Sequence, residues 1–155
     1  MALEVGFDDD LTAAAWIDVA SAEPEAGVSL VPGVEGQAAH FDGSGACLDV
    51  EHVEALPLTR GFTIELWVNV EDWRNPYRDG APIETVVSHS NDFWIAVIPG
   101  EWSFDAGLLT GGDRVTLRGG SVRLGAWQHV ALVREDASNF LRLYVDGRVV
   151  AQREV

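Results

Sequence analysis

Residues 62–70, FTIELWVNV, alternate between apolar and other side chains without a break. Phe62, Ile64, Leu66, Val68 and Val70 fall on one side of an extended chain, and Thr63, Glu65, Trp67 and Asn69 on the other. A helix would scatter those apolar groups around its circumference, whereas a strand lays them all against one core. The run therefore predicts a β-strand with one buried face, and a strand of that kind needs a sheet around it and a second layer beneath it.

The rest of the chain supplies both. NFLRLYV at 139–145 alternates, Asp146-Gly147 follows, and Arg148 to Ala151 is again β-prone. Asp-Gly between two such runs signals a type I′ hairpin, whose central residues both take positive φ. WQHVALVRE at 127–135 reads as a strand joined to that hairpin by a turn at Asp136-Ala137-Ser138-Asn139. Weaker strands are predicted at Leu3–Phe7, Val28–Val31, Gln37–Phe41, Cys47–Val50, Ile83–His89, Phe93–Ile98, Ser103–Leu109 and Arg114–Leu117. Pro32-Gly33, Asp42-Gly43-Ser44-Gly45, Pro99-Gly100, Gly111-Gly112 and Gly119-Gly120 punctuate them. Phe93–Ile98 is apolar on both faces, as a central strand would be. Only Leu11–Ala22 has any helical character. Many short strands with Gly and Pro between them predict an all-β antiparallel sandwich of two sheets, in one domain spanning 1–155.

Charge narrows the partners. The chain carries 25 acidic residues against 10 arginines and no lysine, a net charge of −15. Phosphate backbones and anionic membrane surfaces repel such a chain, so nucleic acid is excluded as a partner. No apolar run approaches the ~20 residues that cross a bilayer, which excludes insertion by a helix. The lone Cys47 excludes an internal disulfide framework and is expected to be a small core residue of its strand. The opening MALEVGFDDD lacks the basic region of a secretory signal. The protein is then expected to stay where it is made, to be a module of a longer secreted chain, or to leave the cell as part of a particle.

Several motifs follow one another in a recognisable order. GVEGQAAHFDGSGACLDV at 33–50, LTRGFTIELWVNV at 58–70, LGAWQHVALVRE at 124–135 and LRLYVDGRVVA at 141–151 resemble the laminin-G-like, concanavalin-A-like jelly-roll domains. Those domains carry a G-x-x-G-x-A-x-x-F-D-G run, an F-T-I-x-x-W-V strand, a G-x-W-H-H-V-A strand and an L-Y-V-D-G hairpin. VGFDDDL at 5–11 is similar to the family's first strand and turn. The resemblance implies a jelly-roll sandwich of two antiparallel sheets. Ala46 and Cys47 stand where the family often has an acid and a tyrosine, and Gln128 replaces the first histidine of the paired pattern. Family members continue past the hairpin for a few strands. With Val155 as the final residue, the last strands are expected to be absent or supplied by strand complementation from another chain.

The same jelly roll hosts glucanases, whose Glu-x-Asp-x-x-Glu strand aligns an acid and a nucleophile. The chain has no such spacing. Glu51 and Glu54 are an odd step apart, Glu23 and Glu25 flank a proline, and no Gly-x-Ser-x-Gly elbow is present. His40, His52, His89 and His129 form no ligand pair. An enzyme is therefore not expected.

Two candidate sites remain. Asp8, Asp10 and Asp42 lie in predicted turns, and the resemblance implies a calcium ion near the sandwich rim that such oxygen ligands would hold; against this, aspartate also favours turns by capping backbone groups. Trp73, Arg74, Tyr77 and Arg78 in EDWRNPYRDG at 71–80 combine aromatic area with charged donors, as a contact surface does. Trp94 and Trp127 are read as a buried layer between the sheets, while Trp67 lies opposite the core-facing side of its strand, with a place in that layer as the alternative. The expected function is a non-catalytic binding or structural module of a larger assembly, such as a virion decoration or tail-associated protein whose partners are other subunits. The alternative is a glycan- or protein-recognition module of a secreted or cell-surface protein.

Overall fold

The structure, a computed structural model, describes residues 27–43, 47–48, 61–71, 84–89 and 92–155. Two compact units are formed, Met1–Leu56 and Pro57–Val155.

In the first unit β1 (Val28–Pro32) pairs antiparallel with β2 (Gln37–Phe41), Val28 standing opposite Phe41. The Pro32-Gly33 signal marks their connection, where the Gly33 amide donates to the carbonyl of Gly36. The amide of Asp42 donates to the carbonyl of Gly27 and closes the open end of the ladder.

Among its described residues the second unit holds two four-stranded antiparallel sheets. One contains β3 (Phe62–Asn69), β8 (Trp127–Glu135), β9 (Phe140–Val145) and β10 (Arg148–Glu154), in the order β10-β9-β8-β3. The other contains β4 (Glu84–His89), β5 (Phe93–Ile98), β6 (Ser103–Thr110) and β7 (Asp113–Gly119), in sequence order. Every described strand falls where the sequence places one, to within a few residues. No helix occurs among the described residues, so none there is long and apolar enough to cross a membrane.

The turns explain the register. Gly111 and Gly112, with φ of 59° and 88°, close the β6–β7 hairpin, and Asp146 and Gly147, at 49° and 74°, close β9–β10. Positive φ at both central residues is the type I′ requirement read from the sequence. With the β9–β10 turn fixed, Leu141, Leu143 and Val145 all point to the core. They meet Val130 and Leu132 of β8 on the same face, and Ile64 and Leu66 of β3 extend it. The opposing face carries Ile95, Phe104, Ala106, Leu108, Val115 and Leu117, all buried. Each large side chain in this set contributes roughly 1.5–3 kcal/mol by leaving water. The sheets come together where a Cβ on Gly119 would reach the Val150 carbonyl oxygen, so the glycine permits close approach.

Candidate functional site

The β4–β7 sheet is apolar on one face and chemically rich on the other. Alternation sends Trp94, Asp105, Gly107, Arg114, Thr116 and Arg118 away from the core residues Ile95, Phe104 and Leu117. Trp94 lies opposite Gly107, and Asp105 opposite Arg118. Because Gly107 has no side chain, the indole lies against the β6 backbone; a Cβ there would stand 2.5 Å from its Cζ2. From that position Trp94 Nε1 donates to Asp105 Oδ1 at 2.7 Å. Arg118 donates to Asp105 Oδ2 through Nε at 3.4 Å and Nη2 at 3.3 Å, and through Nη1 to Glu101 at 3.4 Å. Asp105 is 1% exposed, and these bonds supply the partners its buried oxygens need in place of water. Above the indole the guanidinium of Arg114 sits 4.0 Å from the ring centroid, in cation–π contact.

The outward face of the β10-β9-β8-β3 sheet carries a second constellation. Trp67 stands directly opposite His129, with ring centroids 5.2 Å apart, and His129 Nε2 lies 3.4 Å from Glu65 Oε2. Further along, Glu135 pairs with Arg142 and accepts from Ser138 Oγ at 2.6 Å. The Ser138 bond first, then Arg142, holds the Glu135 carboxyl below the usual carboxylate range. The bond to Glu135 raises Arg142 above its ordinary value. Arg142 also donates to Gln152 and lies over Phe140.

Gln128, standing where similar domains have a histidine, is buried on the core side. Its Oε1 accepts from the Arg123 amide at 2.7 Å and its Nε2 donates to the Ser121 carbonyl at 3.0 Å. It pins the crossing between the sheets, as a buried amide must when both its ends need partners. Asp146 does similar work at the hairpin tip, accepting from the His129 amide and from Arg123.

Three sequence expectations are corrected. Cys47 is exposed and, like Leu48, lies outside any strand, so no ladder position directs its side chain inward. Trp67 is 51% exposed opposite His129, on the non-core side where the alternation of its strand places it. Trp94 is buried, but on the face carrying Asp105, and Trp127 is only half-buried at the start of β8. Trp73, Arg74, Tyr77 and Arg78 lie outside the described residues, as do Asp8, Asp10 and the strand at Leu3–Phe7. Asp42 is exposed at the end of β2. Among the described residues no group of three His, Cys, Asp or Glu side chains is placed to hold a metal ion. The Trp94–Asp105–Arg118 set and Arg114 do not emerge from the sequence reading, although the Pro99-Gly100 turn is a signal that puts Asp105 on the face of Trp94.

A laminin-G family model, described as the concanavalin A-like lectin/glucanases superfamily, matches residues 41–155. The chain belongs to that superfamily. No curated protein and no solved structure gives a significant match. The superfamily's description spans lectins and glucanases. For this member the choice between binding and hydrolysis rests on its own side chains.

Proposed function

We propose that the chain is a non-catalytic binding module that recognises a glycan or a protein surface. The observation that carries this reading is the state of Asp105. The acid buried in the β4–β7 sheet is enclosed by Trp94 and Arg118, which leaves it no role in moving protons to a substrate. Each described strand carries at most one acidic residue, so none presents the paired carboxylates of a glucanase strand. What the sheets offer outward is aromatic area and guanidinium donors, the groups enriched at recognition surfaces.

A second reading places the module inside a larger assembly, such as a virion decoration or tail-associated protein, with other subunits as partners. Trp67 and Val149, 51% and 47% exposed on one outward sheet face, favour it. Apolar groups of this size gain by being covered.

Glycan-array binding, run beside purification of the native assembly, tests both readings. Retention of one glycan class or co-purification with defined subunits is the expected result. Release of reducing ends from a β-glucan by the purified chain would overturn the non-catalytic assignment.

A further inference from the structure

We propose that Arg114, held on the Trp94 indole, is the receptor for the carboxylate of an acidic sugar. The inference rests on the binding reading above and names the chemistry of one ligand. Among the described residues, the other arginine of the β4–β7 sheet has its carboxylates: Arg118 bonds Asp105 and Glu101. Arg114 has none there, and its contact is with the face of the indole. That contact places the guanidinium over the indole, and among the described residues no carboxylate takes its N–H groups. A planar fork so presented suits a carboxylate, which it binds through two parallel hydrogen bonds.

The underpinning is built in rather than adventitious. Trp94 is fastened by its Nε1 bond to buried Asp105 and rests on Gly107, so the shelf beneath Arg114 is held at two points. Arg114, Thr116 and Arg118 are all exposed along the same side of β7.

The neighbours select the kind of carboxylate. Thr116 stands two residues along from Arg114 on the same exposed side of β7, and Glu101, exposed and held by Arg118, can accept hydrogen bonds from hydroxyl groups. A sugar acid brings one carboxylate together with hydroxyls that donate to such groups. An acidic peptide brings several negative charges with no such donors, and Glu101 and the net charge of −15 oppose it. One unpaired guanidinium matches one carboxylate, not a densely charged chain.

The probes are a galacturonic acid trimer with one free carboxyl and two methyl esters, its fully methyl-esterified form and a hexaglutamate peptide. Binding is followed by calorimetry and by amide NMR shifts on β6 and β7. The acid trimer is expected to bind and to shift the amides of Arg114 and Thr116. The ester and the Arg114→Gln variant should each weaken binding by about tenfold or more, with Arg114→Lys in between. Arg114→Lys also decides the matter if Arg114→Gln fails to fold. Absence of trimer binding, equal binding of acid and ester, unchanged binding by both variants, or tighter binding of hexaglutamate would each overturn the proposal. A neutral glycan or protein partner captured equally by wild type and Arg114→Gln would overturn it while leaving the binding reading intact.

Discussion

Trp94 and Asp105, eleven residues apart, meet diagonally across the β5–β6 hairpin through a 2.7 Å hydrogen bond. The bond exists because the four-residue turn from Pro99 to Trp102 sets Ala96 opposite Asp105 and Trp94 opposite Gly107. It turns a polar group that would be costly to bury alone into a brace between neighbouring strands.

Trp94→Phe keeps the ring and removes the donor. With Asp105 Oδ1 left short of a partner, unfolding free energy should fall by about 1–3 kcal/mol. Urea titration measures it. An unchanged midpoint would show that Arg118 satisfies the carboxylate alone.

Gly107→Ala is expected to cost about 3 kcal/mol, because overpacking against backbone cannot be relieved by a rotamer change. The new methyl would stand 2.1 Å from the Val115 carbonyl oxygen and 2.5 Å from the indole. A thermal melt should show the loss together with a red shift in tryptophan emission. A near-neutral melt would mean that β6 and β7 separate easily.

Acid should expose the work of Ser138. Glu135 is depressed in the fold, chiefly by the Ser138 hydroxyl and then by Arg142. A depressed carboxylate stabilises the fold above its unfolded pKa, and that contribution is lost as pH falls through the folded value. In Ser138→Ala, Glu135 should titrate closer to the ordinary range and the acid limb of the stability curve should flatten. NMR titration of the Glu135 side-chain carbon reads this directly, and an unmoved titration would assign the whole effect to Arg142.

Calcium binding by Asp8, Asp10 and Asp42 is a proposal with a simple test. A ligand that binds only the folded chain raises its melting temperature by mass action. Adding calcium should raise the melt and a chelator should reverse it, while Asp42→Asn should reduce the difference. Superimposable curves would dispose of the site.

For the loop at 71–80, double replacement of Trp73 and Tyr77 by alanine should weaken partner capture and leave the melting temperature close to that of the wild type. A large stability loss would mark both as core residues.

Much of the architecture is legible in the sequence because it rests on local rules. The alternation of Phe62 to Asn69, the Asp146-Gly147 and Gly111-Gly112 turns and the apolar run Phe93–Ile98 each correspond to the observed element. The chemistry is less legible because it depends on which residues stand opposite one another. Trp94, Asp105 and Arg114 come from three strands, and their meeting follows from the register of two hairpins and the missing side chain of Gly107. Parity alone puts Trp67 on the non-core side of its strand, while its residue type argues for a buried layer because tryptophan is usually covered; parity prevails. Cys47 shows the same limit: a hydrophobic residue type next to glycines says little without a paired strand to orient it.

The register of β10 slips between Val149 and Ala151, and this small irregularity bears on how the protein behaves in a crowd. A strand arriving from another molecule would find the backbone groups out of step on either side of the slip. It would also have to lie against the charges of Arg148, Arg153 and Glu154. Among the described residues β10 is the end strand of its sheet, and its slipped register and its charges work against edge-to-edge growth there.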